Sequence, residues 1–108
     1  MAAVAKYVQK GDNIDYAAAA NVAYMEVVPL KSRIGVSVET IAAGDMGTVT
    51  LTGVYEIPAD AATEIAVGEQ VYFNTETNCI DKTAAMIPAG IAVAAKAKAD
   101  TVAIVRIG

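Results

Sequence analysis

Apolar and polar positions alternate at a period of two through most of the chain, the spacing of β-strands with one buried face. The clearest run lies within Gly44–Pro58, where a glycine-marked turn, Gly44-Asp45-Met46-Gly47, leads into a strand expected over residues 47–57. Val49, Leu51, Gly53, Tyr55 and Ile57 point one way along it, and Thr48, Thr50, Thr52, Val54 and Glu56 the other. Pro58 stops the run, because proline has no N–H to give to a ladder. Further strands are expected over 6–9, 14–16, 24–30, 33–40, 70–74, 79–82, 90–97 and 101–107. In 33–40, Ile34, Val36 and Val38 are expected inward, and Gly35, Ser37 and Glu39 outward. Pro29 confines the 24–30 strand to an edge or to its own end.

Between these runs lie polar or glycine-bearing breaks such as Gly11-Asp12-Asn13, Lys31-Ser32 and Thr75–Asn78. The alanine run 17–20 is too short to hold a helix by itself, and a loop or β-edge is expected there. Residues 59–67 predict a single helical turn, capped by Asp60 and with Glu64 on its exposed side. An internal echo organises the chain. Residues 34–53 align with 89–108 at a constant offset of 55, matching Gly35 to Gly90, Val38 to Val93, Ala42 to Ala97, Asp45 to Asp100 and Gly53 to Gly108. Both stretches describe a strand, an alanine-rich turn ending in Asp, and a return strand. The fold class is therefore all-β: a small antiparallel β-barrel or sandwich of about 7–9 short strands, with at most one helical turn near 60–66. A single domain over residues 1–108 is expected, with 1–5 a free N-terminal arm.

Composition narrows the core. Apolar residues make up 56% of the 108, but many are alanine, with one Phe and no Trp. A core of Val, Ile and Ala follows, with the five tyrosines as its largest members. A domain of this length buries roughly 65% of its unfolded surface, so it stands to gain stability from association. The net charge of −4 and the lack of a basic run exclude a nucleic-acid footprint. The positive residues gather towards the ends (Lys6, Lys10, Lys96, Lys98, Arg106), as scattered solvation or as two ends facing an acidic partner. No signal-peptide pattern or membrane-length apolar run occurs, which implies a soluble protein that is not exported by a recognisable signal.

Little in the chain supports catalysis. Histidine is absent, which removes the commonest general base and metal ligand, and leaves the lone Cys79 without an activating partner. Zinc is excluded for want of ligands. Asp12 and Asp15 sit beside Gly11 without the spacing of a calcium loop, and are read as turn formers. A hydrolase using paired carboxylates would have to draw on Glu39, Glu56 or Glu69, with no cleft-forming Trp. Gly44–Gly47 lacks the lysine of a phosphate loop. Tyr7, Tyr16, Tyr24, Tyr55 and Tyr72 are read as anchors of a small core rather than as a binding face. No enzyme, no cofactor and no metal is expected.

The opening Lys6-Tyr7-Val8-Gln9-Lys10-Gly11-Asp12-Asn13-Ile14-Asp15 resembles that of the small phage capsid cement, or head decoration, proteins. The likeness continues through 34–38, 43–45, 53–58, 68–73 and 89–94, and departs at Asn21-Val22-Ala23-Tyr24, where such proteins carry a glycine-led turn. The resemblance implies a mostly β structural protein on the outer surface of an assembled virion capsid, made in the bacterial host cytoplasm. Its partners would be the major capsid protein and copies of itself, as a homotrimer, with neither nucleic acid nor membrane bound. The contact residues expected are Ala2, Ala3, Val4, Ala5, Lys6, Tyr7, Thr48, Thr50 and Thr52, the arm being either a strand laid on a neighbour or an unpaired terminus. The alternative is a host- or carbohydrate-binding β-module displayed on a particle.

Overall fold

Residues 2–108 are described in a computed structural model; Met1, the first residue of the expected arm, lies outside the described residues. Four strands, β1 (Asn13–Ala17), β2 (Val27–Pro29), β3 (Ile34–Ser37) and β4 (Met46–Thr50), form one sheet in the order β1-β4-β3-β2. Five more, β5 (Gly53–Pro58), β6 (Gln70–Asn74), β7 (Cys79–Asp81), β8 (Ile87–Ala92) and β9 (Val102–Ile107), form a second in the order β5-β9-β8-β6-β7. Both sheets are antiparallel throughout. The second curls until Ala59, just after β5, meets Ile80 of β7 in an isolated parallel bridge, and the Asp60 N–H donates to the Ile80 carbonyl at 2.9 Å. No closed barrel forms among the described residues.

The two sheets are copies of one plan: β1, β4, β3 and β2 answer to β5, β9, β8 and β6 in the same order. The register agrees up to a bulge after Val71, where Tyr72 pairs with Pro88 although its counterpart Pro29 pairs with Ile34. Val27 pairs with Val36 and Val28 with Gly35, while Gln70 pairs with Ile91 and Val71 with Gly90. Bridge Val22–Ile41 recurs as Ile65–Lys96. Loop hydrogen bonds recur too, Met25 N–H to Ser37 O as Gly68 N–H to Ala92 O, and Ser37 N–H to Glu26 O as Ala92 N–H to Glu69 O. The echo at an offset of 55 thus has a structural counterpart through Asp45 and Asp100. Beyond them the pairing slips by one residue. Ser37 faces Val49, but its counterpart Ala92 faces Val105, so Val49 answers to Val105 rather than to Ile104. One extra residue ahead of β9, at Thr101, accounts for the slip.

The long strand expected over 47–57 is two strands in different sheets, because the chain crosses from one repeat to the next at Leu51-Thr52. The alternation of residue types runs on across the crossing, but burial does not: Val49 and Thr50 are both buried, and Thr52, Gly53 and Val54 are all exposed. β3 is buried at all four positions, so Gly35 and Ser37 are not outward, whereas Val38 is 41% exposed. The reason is that the first sheet is covered on both faces. Ile34 and Val36 join the main core with Ile57, Val71, Phe73, Ile80 and Val105 of the second repeat. Val28 and Val49 pack with Ala18, Val22 and Ile41 in a smaller core on the other side. The core is Val, Ile and Ala with Phe73. The tyrosines are not among its fully buried members: Tyr16, Tyr55 and Tyr72 are half-buried, and Tyr7 and Tyr24 exposed.

Pro29 ends the edge strand β2, and Pro58 ends β5, as their missing N–H groups require. The expected helical turn near 60–66 is a β-turn instead. Asp60 does cap it, accepting from the Ala62 N–H at 3.3 Å and the Thr63 hydroxyl at 2.9 Å, but Ile65 is then drawn into its bridge with Lys96.

Candidate contact surfaces

Residues 2–12 lie outside every strand and are exposed throughout, so the strand expected over 6–9 has no partner and does not form. Val4, Tyr7 and Val8 are each more than 80% exposed. The radius of gyration, 15.1 Å, exceeds the roughly 13 Å of a compact chain this long, in keeping with an arm that projects. Ala2, Ala3, Val4, Ala5, Lys6 and Tyr7 all belong to this arm. Its root is tied down, since the Asp12 carbonyl accepts the Leu51 N–H at 2.7 Å and the Thr50 hydroxyl at 3.3 Å. The structure therefore brings the base of the arm beside Thr50. The three threonines differ in access: Thr50 is buried, Thr48 half-buried with its N–H on Glu39 Oε2 at 3.0 Å, and Thr52 exposed.

A second surface went unnoticed in the sequence. Cross-strand partners Val54, Arg106 and Ile91 share the outer face of the β5-β9-β8-β6-β7 sheet, as do Glu56 with Ile104 and Pro58 with Val102. Val54, Ile91 and Val102 are 55%, 38% and 39% exposed. The signal was present in β9, where Val102-Ala103-Ile104-Val105 is apolar on both faces, the mark of a strand covered on both sides. In the chain alone only one side is covered.

A third feature is a groove of about 520 Å³ between the repeats, lined by Met25, Glu26, Val27, Ile57, Pro58, Phe73 and Asn78. Met25 and Asn78 are the only non-glycine residues among those described with positive φ, 67° and 55°.

Polar groups inside the fold serve structure. Lys96, 3% exposed, stands where the first repeat has Ile41, and its ammonium donates to the carbonyls of Thr63 at 2.5 Å and Ala97 at 3.1 Å. Carboxylates close three of the four turns that follow the Val22–Ile41 and Ile65–Lys96 bridges: Glu26 accepts the Ala23 N–H, Glu69 the Ala66 N–H and Asp100 the Ala97 N–H, at 3.2, 2.7 and 3.1 Å. The Thr63 hydroxyl, then the Ala62 N–H, hold the Asp60 carboxyl below the usual carboxylate range; the Ala66 N–H, then Lys82, do the same for Glu69. Carboxyl groups depressed by folding stabilise the fold above their unfolded pKa and lose that contribution as pH falls through the folded value. The melting temperature should accordingly drop below about pH 4.5 in a thermal titration. Asp60→Asn with Glu69→Gln should lower the plateau at neutral pH and flatten the acid limb. An acid limb unchanged by the pair would contradict the assignment. Among the described residues no three of His, Cys, Asp and Glu gather as a metal site would need.

Surfaces of this kind offer contact: a stiff β body, an apolar sheet face and an exposed arm, the equipment of a structural binding domain. The chain belongs to the phage cement proteins, whose family pattern it matches over residues 8–107. Neither a curated protein nor a solved structure matches it. Membership carries a structural role at a phage capsid and gives no ground for catalysis.

Proposed function

We propose that this protein attaches to the outer surface of an assembled phage capsid, contacts the major capsid protein, and reinforces the shell as a homotrimer. The observation that carries the reading is apolar surface left uncovered on a member of the cement family: the Val54, Ile91 and Val102 face, and the arm with Val4, Tyr7 and Val8. Ala2 to Tyr7, with Thr48 and Thr52, are contact residues in this account, and Thr50 supports them from inside by anchoring the arm's root. Contacts repeated over a lattice add by avidity, so each copy needs only modest affinity. Reinforcement is tested by heating DNA-filled heads lacking the protein, with and without its addition. Genome release should move to higher temperature in proportion to occupancy. Release at the same temperature on fully decorated heads would refute a cement role.

A further inference from the structure

The duplication supplies an internal control for the groove. In the second repeat, Glu69 is satisfied twice: Oε1 accepts the Ala66 N–H at 2.7 Å, and Oε2 meets the Lys82 ammonium at 3.3 Å. Its counterpart Glu26 accepts the Ala23 N–H through Oε1 in the same way, but no lysine or arginine among the described residues lies within salt-bridge distance of it. Lys82 belongs to the twelve residues by which the second repeat exceeds the first between these strands, offset 43 at β2 and β6 and 55 at β3 and β8. The first repeat therefore lacks the segment that would deliver a lysine.

Beside Glu26 the groove is apolar, formed by Met25, Val27, Ile57 and Phe73. Met25 occupies the position of Gly68, which has φ 88°, and keeps a side chain there in a left-handed conformation that disfavours it. Methionine is an adaptable apolar contact, and glycine would remove it. A lysine flanked by apolar residues is what this groove lacks. The arm has that composition: Lys6 stands between Val4 and Val8, and residues 2–11 contain no acid. The arm leaves from the β1 edge and the groove lies at the β2 edge, roughly 14 Å away across three strand spacings. Fully extended, residues 2–10 reach about 30 Å, so the arm is long enough for its own groove or a neighbour's, and the cross-link readout separates the two.

We propose that the groove between the repeats receives the N-terminal arm of a neighbouring copy, with Lys6 on Glu26 and Val4, Tyr7 or Val8 against Met25, Val27 and Phe73. The proposal deepens the homotrimer reading and rests on it. Arm exchange holds the copies together, which leaves the sheet face of Val54 and Val102 for the capsid.

The test mixes two single-cysteine variants, Val8→Cys with Cys79→Ser and Met25→Cys with Cys79→Ser, under mild oxidation, both free at high concentration and bound to heads. Mass spectrometry without reductant should show a covalent dimer joining the two chains. Lys6→Glu or Glu26→Lys alone should cut the cross-linked fraction several-fold, and the two together should restore it. Absence of the mixed dimer in both settings overturns the proposal. So does an arm cysteine that links only to the capsid protein, or a doubly substituted chain that closes a disulfide within itself. Because the free protein is assayed as well, failure to exchange arms and failure to bind heads are separate results.

Discussion

Gly90→Ala should cost this protein its native fold, or lower its melting temperature by roughly 10 °C or more. Gly90 has φ 137°, and a Cβ placed on it would lie 2.0 Å from the Arg106 carbonyl oxygen and 2.9 Å from the carbonyl carbon. Those atoms belong to a neighbouring backbone, so no rotamer change relieves the clash. Gly90 is also held from both sides, against Val71 of β6 and Ile107 of β9, so moving it breaks pairing on one side or the other. The strained conformation alone costs an L-residue about 1–3 kcal/mol, before any lost ladder bonds are counted. Its counterpart Gly35 provides the comparison. There the added carbon meets a Val49 methyl at 2.3 Å, with the Thr50 carbonyl oxygen at 3.0 Å, and φ is not left-handed. A side chain can yield, so Gly35→Ala should behave as overpacking, at about 1–3 kcal/mol. Thermal melts of the two variants decide. Equal losses, or a Gly90→Ala protein melting within a degree or two of the parent, would contradict the geometry.

The second large effect is on attachment. Val54→Asp combined with Val102→Asp should leave the fold intact and weaken capsid binding by about a hundredfold or more. Both side chains are well exposed, so the substitutions fall where stability changes are small. Both lie on the outer face of the same sheet, where two aspartates would have to be desolvated on docking. If each site contributes about 1–2 kcal/mol, as truncated interface anchors do, the pair accounts for that fold-change, and avidity on the lattice amplifies it. Normal decoration by the double variant, at concentrations that just saturate the parent, would remove this face from the interface.

The pairing explains what the sequence disclosed and what it hid. β6 at 70–74 was legible to the residue, since Gln70-Val71-Tyr72-Phe73-Asn74 alternates cleanly between Gly68 and the 75–78 turn. The repeat was legible through Gly35 and Gly90, neither of which has room for a Cβ, Gly90 against the Arg106 backbone and Gly35 against a Val49 methyl. The break at Leu51-Thr52 was not, because alternation records which face a residue takes and not which sheet it joins. The covering of β3 on both sides was hidden for the same reason: Gly35 and Ser37 look outward until a second layer is known. Of the residues proposed for contact, 2–5 were expected in an arm, whereas 6–9, whose alternation suggested a strand, continue that arm because no partner strand lies beside them. The threonines were expected to share one face, but Thr52 lies past the end of β4, and Thr50 is buried with its hydroxyl on the Asp12 carbonyl, 38 residues away. Glu26 carried no local signal at all, and its lack of a cation emerges only beside Glu69 and Lys82.

Attachment to the capsid is tested by sedimentation of the purified protein with mature, intact heads that lack it. Saturable co-sedimentation is expected, with stoichiometry set by a fixed number of lattice sites and with competition by unlabelled protein. Protein that stays in the supernatant at every concentration, beside heads shown to be intact, would contradict it.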